Sequence, residues 1–233
     1  MDYDEYMKKE DERRNIAIDH LKNGVEFVDI NSAYIDPQVK IGAGTVIGPC
    51  VTLEGATVIG AGCHIYQNTR IQDSEIGDGV EIQSSVILES SVGKDTKVGP
   101  FAYLRPGSHI GEACKVGDFV EVKNSNFGDG SKTAHLTYIG DADVGKNVNI
   151  GCGVVFVNYD GTNKYRSTVG NGAFIGCNTN LVSPVNVEDG AYIAAGSTVT
   201  KNVPEDALCI ARSKQRNIEG WAAARGLYNK KGK

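Results

Sequence analysis

The sequence predicts an all-β chain: a parallel β-helix of stacked triangular coils, with a short helix before it and a tail after it. Three observations carry that expectation. An aliphatic residue recurs every six positions at Ile41, Ile47, Leu53, Ile59, Ile65 and Ile71, again at Val92, Val98, Leu104, Ile110, Val116 and Val122, and again at Val169, Ile175, Leu181, Val187, Ile193 and Val199. Neither a helix, with apolar residues three or four apart, nor an alternating strand has that period. Glycine is abundant, at 29 residues against 6 prolines, and is scattered among Ile and Val instead of gathered in polar tracts, which argues against collagen and disorder. Short strands joined by tight corners account for all three, because the aliphatic residue fills the shaft and glycine relieves the turn. Three hexads close one coil of about 18 residues, so roughly nine coils are expected, stacked at about 4.8 Å.

In chain order, residues 1–24 form a polar, charge-dense segment. Ile16, Ala17 and Leu21 give it a weak helical stripe and Gly24 stands where a C-terminal cap belongs, so a solvated helix or frayed arm is expected. Residues 25–212 form the β-helix domain, with the beat established from Ile35 and ending beyond Val203. Residues 213–233 form a basic C-terminal tail that holds the only tryptophan, Trp221.

Composition narrows the function. A formal charge of −5 argues against non-specific nucleic-acid binding. No apolar run approaches the roughly 20 residues of a membrane span, and the acidic N-terminus lacks a signal peptide's basic and apolar regions. A soluble, cytoplasmic protein is expected. Cys50, Cys63, Cys114, Cys152, Cys177 and Cys209 show neither metal-type pairs nor a tight disulfide framework, and read as reduced thiols.

The beat also places outward side chains. Arg105 follows the inward Leu104, and Lys123 follows Val122 one coil later, so both face out on one wall. A one-residue slip at Phe127 brings Ile139 to that wall and turns Tyr138 outward; another near Val157 brings Asn158 there. His135, two residues after the hexad position Thr133, falls at the corner beside this wall. The same corner recurs at Cys152, Cys177 and Ala195. The step from Cys152 to Cys177 exceeds one coil, which implies a loop of about seven residues within 158–168.

These are the parts of an acyl-transfer site. Arg105, Lys123 and the loop's Lys164 suit a phosphate, the arginine as a bidentate fork and the lysines as point charges. His135 is the natural general base, since an unperturbed imidazole titrates near neutrality. Taken singly, His135 reads equally well as a corner histidine bonding its neighbours, and the two cations as a solvated wall. Their position side by side favours function. Cys177 reads as a small corner residue, not a catalytic thiol.

Five stretches then carry a family resemblance: Leu-Arg-Pro-Gly at 104–107, Val-Gly-Asp-Phe-Val-Glu-Val-Lys-Asn at 116–124, His-Leu-Thr-Tyr-Ile-Gly-Asp at 135–141, Asn-Tyr-Asp-Gly-Thr-Asn-Lys at 158–164 and Ala-Ala-Gly-Ser-Thr-Val-Thr at 194–200. They are similar to the acetyltransferase half of the bacterial bifunctional glucosamine-1-phosphate N-acetyltransferase/N-acetylglucosamine-1-phosphate uridyltransferase family, and the similarity covers nearly everything after Gly24. The resemblance implies a left-handed β-helix, against the usual crossover rule, and a homotrimer with each site built where subunits meet. It implies that Arg105, Lys123, Tyr138, Asn149 and Lys164 hold glucosamine 1-phosphate, that His135 is the catalytic base, and that Cys152, Asn158, Tyr159, Cys177, Ala195 and Arg212 contact acetyl-CoA. His135 would take a proton from the sugar's C2 ammonium, the amine would attack the thioester, and backbone amides at the small-residue edge would stabilise the oxyanion. Asn158 is expected to orient the imidazole, and no metal is required.

Three residues depart from the family pattern. Cys152 and Cys177 stand where alanine and serine are usual, and Asp118 where asparagine is; the effect is expected on affinity more than on activity. The uridyltransferase half's glycine-rich nucleotide loop has no counterpart, so no use of UTP is expected. The tail reads either as an apolar cap on the last coil or as a source of cations, Lys214, Arg216 or Arg225, for the phosphates of coenzyme A. Competing functions are acetylation of another amino-sugar acceptor and a non-catalytic sugar-nucleotide-binding β-helix. A β-helical carbonic anhydrase fits poorly. It needs three histidines on zinc, one pair of them closely spaced, whereas His20, His64, His109 and His135 are spread widely along the chain.

Overall fold

A computed structural model of the chain describes residues 1–227. It is a parallel β-solenoid with three faces. The first face is an eleven-stranded sheet running from Glu26–Phe27 to Leu208–Cys209, the second a ten-stranded sheet from Tyr34–Ile35 to Thr198–Val199, and the third a nine-stranded sheet from Lys40–Ile41 to Asn186–Val187. Most strands are two or three residues long, because six residues leave room for little more between corners. Consecutive strands pass from one face to the next, and every pairing within a face is parallel.

The hexad residues fill the shaft. All are buried except Ile41, which is partly covered and packs against the same cluster. The inward stack of the first face runs Val116, Thr133, Ile150, Ile175, Ile193, so the register read from the beat holds through the long step from Ile150 to Ile175. Corner hydroxyls satisfy the backbone where the sheet turns: Ser125 donates to the Lys123 carbonyl at 2.8 Å and accepts from the Ala142 amide at 2.9 Å, which removes the cost of leaving buried turn groups unpaired.

Three features differ from expectation. Coiling begins at Glu26 and continues to Cys209, and several coils fall short of three full hexads, as from Ile65 to Ile82 and from Ile82 to Val98. About ten coils therefore form where hexad arithmetic gives nine. The N-terminal helix, α1 (Tyr3–Lys22), is capped by Asp2 and ends before Gly24 at φ +89°. The helix is the one expected, but it docks on the first coil instead of standing solvated: Ala17 is buried, Ile16 packs against the core, and Arg13 donates to the Ala33 carbonyl at 2.8 Å. The tail is described as far as Leu227, and the rest of it lies outside the described residues. Ile218, Trp221 and Leu227 stay exposed, and Arg225 stacks over the Trp221 ring at 4.3 Å, so these residues do not form a buried cap in the single chain. No described helix is long and apolar enough to cross a membrane.

Candidate active site

The candidate site lies beside the two described strands that exceed three residues. On the first face, Lys115–Asp118 and Lys132–His135 are four residues long, and their pairing extends to Asp118 opposite His135. Gly117 makes the extra length possible: a Cβ there would stand 1.9 Å from the Ala134 carbonyl oxygen, with no room to shift a backbone atom. Beyond these strands the chain turns sharply, with Phe119 and Leu136 both in the left-handed region. His135 is thereby left at the corner between the first and second faces, with more than half its side chain exposed. Its Nδ1 is hydrogen-bonded to Oδ1 of Asp118. That bond holds the Asp118 carboxyl below its ordinary range, against a smaller opposing effect of burial.

Cys152, Cys177 and Ala195 lie two residues past Ile150, Ile175 and Ile193, which are paired coil to coil. They therefore continue the His135 edge upward, with Cys152 half-buried and the other two exposed. The amides of Asn178 and Gly196 donate to the carbonyls of Cys152 and Cys177, each at 2.8 Å. Arg212 reaches the same edge, its Cδ 3.7 Å from where a Cβ on Gly196 would stand.

The second face carries Arg105, Lys123 and Tyr138, with Leu104, Val122 and Ile139 in register beneath them. Its charge is not bare. Arg105 Nη1 donates to Glu121 at 2.8 Å and Lys123 Nζ to Asp141 at 3.1 Å. The expected basic wall is therefore a wall of ion pairs, because one coil's spacing sets an acidic residue beside each cation. Asp141 is almost wholly buried and also accepts from the side-chain amides of Asn124 and Asn158. Burial pushes its carboxyl upward, but the hydrogen bonds from Asn124, Lys123 and Asn158 and the Lys123 charge outweigh that and hold it below its ordinary value.

Asn158 differs from expectation in two respects. It is buried, not outward-facing, because Val157 takes the outward position and the chain folds back there, the Asn158 amide meeting the Phe156 carbonyl at 2.9 Å. Its side chain bonds Asp141 and, at 3.4 Å, the Tyr138 hydroxyl; the imidazole's partner is Asp118. Gly140 leaves the space for this contact, since a Cβ there would meet the Tyr138 hydroxyl at 2.3 Å and Asn158 Nδ2 at 2.8 Å.

The loop after Val157 closes on itself through an antiparallel bridge between Tyr159 and Lys164 and through Asp160, which accepts from the amides of Thr162 and Asn163. Arg166 pins its return to Asp143 and to the Asn124 carbonyl. Tyr159 and Lys164 are exposed. Asn149 lies apart from the second-face residues, on the first face between Lys132 and Phe174. One chain thus brings together Lys123, Tyr138, Asn158 and Asp141, sets His135 at the neighbouring corner, and leaves Asn149 around that corner. Asp118, Glu121 and Asp141 escaped the sequence reading as partners. The signal for the first and last was their distance of one coil from His135 and Lys123 respectively.

A family comparison finds the same six-residue repeat. The bacterial transferase hexapeptide (six repeats) family matches residues 89–124 and 166–201, and the GMPPB C-terminal domain family matches residues 30–99. The bifunctional protein GlmU of Clostridium botulinum is 56% identical over 218 residues, 94% of this chain and 48% of that protein. GlmU of Clostridium novyi is 60% identical over 208 residues, 89% of this chain and 46% of that protein. The chain thus spans about half the length of the curated relatives it matches. Among solved structures, a UDP-N-acetylglucosamine acyltransferase from Campylobacter jejuni aligns at 18% identity and a TM-score of 0.48, covering 77% of this chain and 70% of that one.

Proposed function

The chain is a hexapeptide-repeat homologue of bifunctional GlmU proteins over about half their length, and from that premise we propose that it is a cytoplasmic glucosamine-1-phosphate N-acetyltransferase, using acetyl-CoA in UDP-N-acetylglucosamine biosynthesis. The observation that carries the reading is the corner imidazole. His135 is exposed, has one ring nitrogen engaged by Asp118 and stands at the foot of an edge of small residues. That edge suits a long, thin thioester donor, and a free imidazole nitrogen suits an amine that must lose a proton to become nucleophilic. The transfer as proposed needs no metal, because deprotonation alone activates an amine.

Arg105, Lys123, Tyr138, Asn149 and Lys164 form the sugar-phosphate site in this reading, and Cys152, Asn158, Tyr159, Cys177, Ala195 and Arg212 the donor site. The ion pairs do not disqualify the cations: the Glu121 bond uses only Nη1 of Arg105, and a guanidinium has five N–H donors. The separation of Asn149 from Lys123 around a corner supports a homotrimer in which the first face of one subunit meets the second face of the next, a closed rotational arrangement. Phe101, Phe119 and Leu136, at 58%, 57% and 57% exposure along that corner, supply apolar surface for such a contact.

The test is thiol release from acetyl-CoA with glucosamine 1-phosphate, run beside glucosamine 6-phosphate and free glucosamine. Turnover confined to the 1-phosphate is expected. Turnover with another acceptor only would reassign the substrate, and none with any of them would overturn the acetyl-transfer reading. The trimer is checked by light scattering, which should give three times the 24.8 kDa chain mass.

A further inference from the structure

We propose that Asp118 is a positioning residue for His135: its carboxylate accepts a hydrogen bond from Nδ1–H and so selects the tautomer that leaves Nε2 free as the base. The inference rests on the acetyl-transfer reading for its catalytic consequence, and on the geometry alone for the tautomer.

Three features of the backbone set this contact. The strands Lys115–Asp118 and Lys132–His135 are extended to four residues, so that Asp118 and His135 are register partners. Gly117 allows the close approach of the two coils. The Leu136 amide then donates to the Asp118 carbonyl at 2.9 Å, so the backbone is tied on the residue after the histidine as well. The Asp118 side chain is about one-third exposed and that of His135 about one-half, at 34% and 54%. The pair is therefore open to a substrate on the side away from the sheet.

The chemistry of residue 118 decides what the contact does. An ionised carboxylate can only accept a hydrogen bond. It is satisfied by an imidazole carrying its proton on Nδ1 and by no other neutral form. An asparagine at this corner presents an oxygen or an NH2 group with equal ease, and so fits either tautomer. The shift of the Asp118 carboxyl below its ordinary range, set first by the His135 hydrogen bond, agrees with an ionised acceptor. This differs from an effect on affinity: residue 118 acts on the base through the ring nitrogen that does not meet the substrate.

In the proposed reaction, the C2 ammonium first loses one proton through Nε2 to solvent, and Nε2 then takes a second proton from the free amine as its C–N bond to the thioester carbon forms. The thioester C–S bond breaks and the proton passes from the imidazolium to the departing thiolate, so atoms and charge balance. Throughout, Asp118 keeps its charge and holds the ring in place, and it stabilises the imidazolium formed midway.

The experiment pairs a spectroscopic and a kinetic readout on the full chain. With 15N-labelled histidine, and His135→Gln to assign the signal, the neutral ring in the wild type should carry its proton on Nδ1. In Asp118→Ala it should shift toward the Nε2-protonated form, and Asp118→Asn should give a mixture. With glucosamine 1-phosphate, Asp118→Ala should lower kcat about 10- to 100-fold with both KM values little changed, and Asp118→Asn should recover part of the loss. An unchanged tautomer in Asp118→Ala overturns the proposal, as does a raised KM with kcat intact, which would make Asp118 a substrate contact. Should Asp118→Ala fail to fold, the asparagine variant decides, since its amide keeps the size and removes the charge. A wild-type protein inactive with every acceptor overturns the acetyl-transfer reading instead, and the tautomer comparison still decides the role of Asp118.

Discussion

Asp141 and Lys123 stand one coil apart with carboxylate and ammonium 3.1 Å from one another, and the side chains are only 10% and 19% exposed. An ion pair so enclosed is costly to break from one side, because the remaining charge has lost its water and gains nothing in return. Asp141→Asn is therefore expected to destabilise the chain by about 3 kcal/mol. The difference should depend on pH in a definite sense. The Asp141 carboxyl is held low in the folded state, so its contribution is complete above the ordinary carboxylate value, about 3.9, and is lost as pH falls through the lower folded value. Thermal melts of the two proteins should be separated by a constant interval near neutrality, and the interval should shrink below about pH 4. An interval independent of pH would mean that Asp141 contributes only through its shape.

His135→Ala should lower turnover by about a hundredfold or more with little change in melting temperature, since more than half of the side chain is exposed at a corner. Near-wild-type turnover in a folded variant would remove His135 from the chemistry.

Arg105→Ala and Lys123→Ala should chiefly raise KM for the sugar phosphate. The two differ in a second respect. Arg105 pairs with a half-exposed Glu121, with side chains 40% and 38% accessible, so its loss should barely move the melting temperature. Lys123→Ala strands the buried Asp141 and should lower it. Unchanged KM in both variants would put the phosphate elsewhere.

Much of this was legible in the sequence because a solenoid makes position periodic. The six-residue beat, once its slip at Phe127 and the loop within 158–168 are allowed for, fixes Leu104 beneath Val122 beneath Ile139, and puts His135, Cys152, Cys177 and Ala195 on one edge. The polar contacts were harder to read, for a physical reason. The sequence distance between vertical neighbours changes from coil to coil, being short between Glu75 and Ser91 and long between Asn149 and Phe174. Which outward groups bond depends on that local coil length and on side-chain direction, neither of which hydrophobic periodicity records. Asn158 illustrates this: a single folded-back residue turns it from the wall into the interior. The docking of helix α1 leaves little trace in the sequence because it rests on Ala17, Ile16 and one arginine, too few residues to give a strong apolar stripe, while Leu21 remains half-exposed.

Gly117→Ala should damage both fold and function. The added methyl would lie 1.9 Å from the Ala134 carbonyl oxygen, and relieving that overlap must push apart the two strands that end in Asp118 and His135. A loss of about 2 kcal/mol is expected, together with a fall in kcat. A stable variant with normal turnover would show that the long strand pairing does not matter to the site.

Thr133→Val should act in the opposite direction. Thr133 occupies an inward position of the shaft between Val116 and Ile150, with no exposure, and its hydroxyl finds no hydrogen-bond partner among the described residues. A buried hydroxyl without a partner costs free energy that valine, of nearly the same shape, does not incur. The variant should gain about 1 kcal/mol, read as a rise of about 2 °C or more in melting temperature, with turnover unchanged because His135 points out of the shaft two residues later. A fall in stability would instead reveal a partner for that hydroxyl, such as a water held within the coil.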